Sequence, residues 1–319
     1  MVQDKLALAL IGERLGYWSR SPLHPIMLPV GALALVHAIR VSHATRQVAG
    51  SHKYCLTLWQ GFLLNQILMF GGVIVSGMLL GISSPLLTAC PVVALYGGMH
   101  VLLDVVPIGK LLLRAQDSGV IGILMDLSFA LLDGILRAEG IIDLGVEPVL
   151  RHPSPEISTS IFAVLINSAI IGGGVPLLID LLKLDSPTGE WGIRTPSWAN
   201  NPFKGTNDIF SASLLGFVYL VLSSSSVPAQ FPFVYGVVEL FGLDKLSNTE
   251  VRTFCSLLLG ALLLAEKATM LLTAVRPVSK PIATRTRDAV APLKTPTARK
   301  IDTVNGSVKH RKQMSRKQQ

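Results

Sequence analysis

Two stretches decide the reading, "NQILMFGGV" (Asn65–Val73) and "NSAIIGGGV" (Asn167–Val175). Each is an Asn, five residues and then Gly-Gly-Val, inside an apolar run, and the copies begin 102 residues apart. Glycine in a helix interior costs about 1 kcal/mol against alanine, and a buried amide demands hydrogen-bond partners. A chain that places both features twice at the same offset has a use for them.

The surroundings say in which solvent. Half of the 319 residues are hydrophobic and 15% are charged, with a mean hydropathy of +0.52. Between Lys53 and Asp104 lie fifty residues without Asp, Glu, Lys or Arg. At roughly 20 apolar residues per crossing this is two transmembrane helices and a turn. The turn falls at "GISSPL" (Gly81–Leu86), where Pro85 cannot continue a helix ladder. The same reasoning gives about seven spans, near Pro25–Ile39, Tyr54–Leu80, Leu86–Val106, Gly119–Leu136, Ile157–Ile179, Ile209–Val227 and Val251–Val275. The expected organisation is an N-terminal segment (1–19) without the layout of a cleaved signal, an all-α membrane domain (20–275) and a basic tail (276–319).

The tail carries twelve basic and two acidic residues and few apolar ones, the composition of a disordered segment. Placing it in the cytosol puts twenty Lys and Arg of loops and tail on that side against six on the other, the sense of the positive-inside rule. Such a tail attracts anionic lipid, and it lacks the interleaved aromatics of a nucleic-acid binder. Cys55, Cys90 and Cys255 form no CxxC or Cys/His cluster, so no metal, cofactor or disulfide framework is expected. No nucleophile elbow, zinc-protease, P-loop or dinucleotide motif is present, and the chain does not read as an enzyme.

Within the seven spans the two copies of the motif fall in the second and the fifth. The repeating unit is therefore three helices, and an odd number of crossings inserts successive units in opposite directions, followed here by one extra C-terminal helix. Inverted repeats of this kind build transport pathways at the repeat interface. The double glycines, Gly71-Gly72 and Gly173-Gly174, are then expected to break their helices beside that path, with Asn65 and Asn167 nearby. Ionisable residues point the same way. Asp126, Asp133 and Arg137 share one face of the fourth span at i, i+7 and i+11. A mid-bilayer charge costs at least about 2.5–3.5 kcal/mol on insertion scales, so it lines a cavity or carries function. Asp104 near the end of span three and Lys267 in span seven join these ion-path candidates.

Five stretches in order resemble the trimeric intracellular cation (TRIC) channels. They are "SRSPLHP" (Ser19–Pro25), "FGG" (Phe70–Gly72), "LYGGMHVLLDVV" (Leu95–Val106), "IIGGGVPLL" (Ile170–Leu178) and "AEKATMLLTA" (Ala265–Ala274). The resemblance implies a seven-helix protomer with its own pore, assembled as a homotrimer. It implies a channel for potassium and other monovalent cations in the endoplasmic reticulum or another intracellular membrane, with a cytosolic C-terminus, supplying counter-ion current during calcium release. One position departs from the family. Where vertebrate-type members carry Lys-Glu-Val and then an Arg, this chain reads Asp133-Gly134-Ile135 and keeps Arg137. An acid in place of the lysine repels an anionic headgroup and puts phosphoinositide binding there in doubt, whereas an acidic wall suits cations. The alternative function class is a secondary transporter that uses Asp126 or Asp133 to bind a coupling ion or proton.

Overall fold

The computed structural model describes residues 2–49, 56–186, 188–202, 206–223 and 231–275. The basic tail, Cys55, and the outer ends of the expected second and sixth spans lie outside these residues. Helices dominate: α1 (Val2–Arg20), α2 (Ala32–Val48), α3 (Leu58–Leu80), α4 (Cys90–Val105), α5 (Ile108–Gln116), α6 (Gly119–Gly140), α7 (Ile161–Leu181), α8 (Asn207–Leu222), α9 (Pro232–Phe241) and α10 (Asn248–Val275). A two-stranded hairpin, β1 (Pro22–His24) with β2 (Leu28–Gly31), precedes α2. Four stretches are long and apolar enough to cross a bilayer: Leu58–Leu80, Gly119–Leu150, Ile161–Leu181 and Asn248–Thr273. The pair α4 and α5, bent by 82°, makes a fifth if counted as one span. The chain is an all-α multi-pass membrane protein.

Local signals set the ends of these elements. α3 starts with a capping box between Thr57 and Gln60 and stops at Gly81, whose φ of 62° is a left-handed cap. Ser84 and Pro85 then open the single turn Pro85–Thr88 that leads into α4, as expected for the "GISSPL" turn. The first expected span is corrected. Pro22, Pro25 and Pro29 hold the chain in the hairpin, and the helix runs Ala32–Val48 instead of Pro25–Ile39. Arg40 and Arg46, counted above with the loops, lie inside this helix. The 1–19 segment is α1, which packs along α10, Gly12 lying against Thr249 and Thr253.

Two antiparallel crossings organise the helices. In the first, α3 meets α7. Gly72 touches the backbone of Ile170, Gly71 faces Leu178, and Gln60 donates to the carbonyl of Gly189 just beyond α7. At the other end His152 bonds the Leu80 carbonyl at 2.9 Å. In the second, α6 meets α10. Gly134 packs on Gly260, with Asp126–Lys267 (2.9 Å) on one side and Asp143–Arg252 (2.6 Å) on the other. Gly134 and Gly260 stand at the midpoints of their apolar stretches. Small residues let backbones close in where lipid supplies no hydrophobic drive.

The expected helix breaks at the glycine pairs are corrected: α3 and α7 each run through their glycines without interruption. A Cβ on Gly72 would lie 2.7 Å from the Ile170 carbonyl oxygen, and one on Gly173 2.5 Å from the Ile209 nitrogen. Gly72 and Gly173 are therefore close-approach points. The irregularities lie elsewhere: Pro176 inside α7, and a π-helical segment, Ile141–Val146, that continues α6.

Candidate functional site

Between α2, α3, α6 and α7, with Tyr96 of α4 and Asp208 of α8, lies a cavity of about 410 Å³. A chain of polar side chains crosses its wall. The Tyr96 hydroxyl bonds His37 Nδ1 at 2.6 Å, and His37 Nε2 stands 3.9 Å from Asp133 Oδ1. Asp133 accepts from Arg137 Nη2 at 2.5 Å. Arg137 Nη1 reaches Asp208 Oδ2 at 3.1 Å. Arg40 lines the same cavity with its guanidinium 5.6 Å from the Phe129 ring centre, a cation–π distance.

Arg137 has a third partner, and the sequence of α7 explains it. Pro176 has no N–H, so the carbonyl four residues back, that of Gly172, has no helical donor. Arg137 Nη1 donates to that oxygen at 3.2 Å. The proline thus leaves an exposed carbonyl in the lining of the cavity. A parallel case sits at the π-helical segment, where the Asn167 amide donates to the carbonyls of Leu144 and Gly145 at 3.3 and 2.7 Å. Asn65 likewise reaches the helix before its own, donating to Thr45 Oγ1 in α2 at 3.3 Å. Both motif asparagines thus tie their helix to the preceding one.

Of the expected ion-path residues, Asp133 and Arg137 line the cavity, and so does Gly72 of the glycine pairs. The others stand apart from it. Asp126 pairs with Lys267 and accepts from Gln116 at 2.6 Å. Asp104 pairs with Arg46 at 2.8 Å. Asn65 and Asn167 brace helices, and Gly71, Gly173 and Gly174 are not in the lining. His37, Tyr96, Arg40, Asp208 and Glu139 complete the polar wall. Glu139 also pairs with Arg252 at 3.1 Å. Asp208 sits in the first turn of α8, a position whose sequence signal is an ordinary helix start. His37 carried no signal beyond being a lone histidine in an apolar run.

Fully ionised, the lining holds Asp133, Asp208 and Glu139 against Arg137 and Arg40, one acid in excess before Arg252, the partner of Glu139 outside the lining, is counted. With walls of Val, Leu, Ile and Met around them, these charges act in a low dielectric, where each counts for more than in water. The arrangement can hold a small cation beside carboxylates that Arg137 keeps fixed. No family model, curated protein or solved structure matches the chain.

Proposed function

We propose that this protein is a monovalent cation channel, with potassium its principal ion, in the endoplasmic reticulum or another intracellular membrane. Its fold would be an inverted repeat of three plus three helices (α2–α4 and α6–α8) with α10 as a seventh span. Protomers would assemble as homotrimers, each with its own path, and carry counter-ion current during calcium release. The observation that carries the reading is the antiparallel crossing of α3 and α7, the two helices that bear the repeated motif, beside a cavity with one acid in excess. Opposite directions for the two copies are what an inverted duplication demands. The resemblance to TRIC channels supplies the ion, membrane and oligomer.

The competing class, a secondary transporter, draws on the His37–Asp133 approach, a place where a coupling proton could sit. Purified protein in planar bilayers separates the two. Large ohmic unitary currents in potassium are the expected result. Slow uptake that stops when a proton or sodium gradient is collapsed, with no unitary current, would overturn the channel reading.

A further inference from the structure

α5 leaves the end of α4 at 82°. α4 alone is about 24 Å long at 1.5 Å per residue, most of the roughly 30 Å of the hydrocarbon core, and the turn Pro85–Thr88 precedes it across a break at Ala89. If α4 crosses the bilayer, α5, nearly perpendicular to it, runs along the membrane plane.

At 100° per residue α5 has three faces. Gly109, Leu113 and Gln116 form the one held by protein. Gly109 packs against the Leu103 carbonyl and the Arg46 guanidinium, and Leu113 is buried. The Gln116 amide is fixed by His43 (2.7 Å), Gln47 (2.9 Å) and Asp126 (2.6 Å). Both ends of the helix are thus pinned. A second face carries Ile108, Leu111, Leu112 and Ala115, with Ile108 45% and Leu111 56% exposed and the other two half-buried. Along one edge, a turn apart, are Lys110 and Arg114, both exposed, and α5 contains no acid.

We propose that α5 is an interfacial helix that seats its leucine face among acyl chains and binds anionic phospholipid headgroups through Lys110 and Arg114. The occupant is lipid because Leu102 and Val105, at the end of α4 that leads into α5, are exposed as well, at 51% and 71%. A membrane-crossing helix presents such residues to acyl chains. A basic edge beside an apolar face is the pattern of helices that lie in the headgroup zone, and each near-surface basic residue attracts an anionic leaflet by about 1 kcal/mol. The inference is independent of what the cavity transports.

The test reads depth and charge together. Leu111→Trp is made in the full chain, reconstituted with phosphatidylcholine or phosphatidylserine brominated near the glycerol, and its fluorescence is compared with that of wild type to isolate the added indole. The expected result is quenching of that indole by both lipids, with phosphatidylserine preferred by about fivefold for each of the two basic residues, the equivalent of about 1 kcal/mol apiece. Adding Lys110→Gln and Arg114→Gln should abolish the preference while quenching by phosphatidylcholine persists. An added indole that neither lipid quenches would mean that water or another protein covers the face. Equal quenching by the two lipids before the basic residues are removed would leave no anionic site. Either outcome overturns the proposal.

Discussion

Pro176 shows how one residue shapes the site. By lacking a donor it exposes the Gly172 carbonyl, and Arg137 joins that carbonyl to Asp133 and Asp208. The acid at position 133 therefore does not act alone on Arg137. With Asp133→Asn, Arg137 keeps Asp208, and the lining loses its single excess acid. Single-channel conductance in low potassium should fall roughly tenfold, the effect of about 1.4 kcal/mol on a barrier, and high salt should shrink the difference by screening. Asp208→Asn should give a similar loss. Unchanged conductance in both, with normal assembly, would put the ion path outside this cavity. The glycines make a separate prediction about stability. Gly72→Ala and Gly173→Ala drive a methyl into backbone and should cost about 1–3 kcal/mol. Gly174→Ala meets only side-chain atoms of Ile170 at 3.6 Å or more and should cost less than either. Chemical unfolding in detergent ranks the three, and equal losses would remove the close-approach account. The motif is legible in the sequence as a repeat, but its spacing suggests breaks where both helices run on. The clash that each forbids depends on a neighbouring helix that spacing along one chain does not reveal.

The α6–α10 pair is built as a strut, with glycine against glycine at its centre and an ion pair towards each end. From Asp126 to Asp143 is about 25 Å of helix at 1.5 Å per residue, close to the thickness of the hydrocarbon core. The outer pairs therefore fall towards the two membrane surfaces, while Asp133, beside Gly134, stays near the middle. This distance sorts the acids that the sequence grouped together on one face. Asp126 and Lys267 belong to the strut, and Asp133 belongs to the cavity. A double-mutant cycle on Asp126→Asn and Lys267→Gln should give a coupling of about 1 kcal/mol in unfolding free energy, held down by the partial exposure of the lysine. Neither substitution should change potassium conductance. A conductance change as large as that of Asp133→Asn would return Asp126 to the ion path. Helix positions were legible where apolar runs were long and bounded by Gly, Ser and Pro, as at Gly81–Pro85. They were not legible in α2, where Ser42, His43 and Arg46 look like a loop until Gln116, His100 and Asp104 supply their partners.

At the scale of the whole molecule, the question is which side each connection faces. Taking Arg40, Arg46 and Arg137, which lie inside α2 and α6, out of the loop count leaves six basic residues on the proposed cytosolic side against five on the other. The loops no longer choose an orientation, and the basic tail alone favours the cytosol. Two of those six, Lys110 and Arg114, sit on the interfacial helix and suit the anionic leaflet, which is the cytosolic one. If α4 crosses the bilayer, Ser83 before it and Arg114 beyond it must face opposite compartments. Both are exposed, and either can be turned into a cysteine. With Cys55 and Cys90 replaced by Ser, the remaining Cys255 is fully buried and should not react. In sealed endoplasmic-reticulum vesicles, an impermeant maleimide should label Arg114→Cys at once and Ser83→Cys only after permeabilisation. The reverse order would invert the topology while keeping the fold. Labelling of both from outside would mean that α4 does not cross, and the three-helix repeat, with the pathway read from it, would fall.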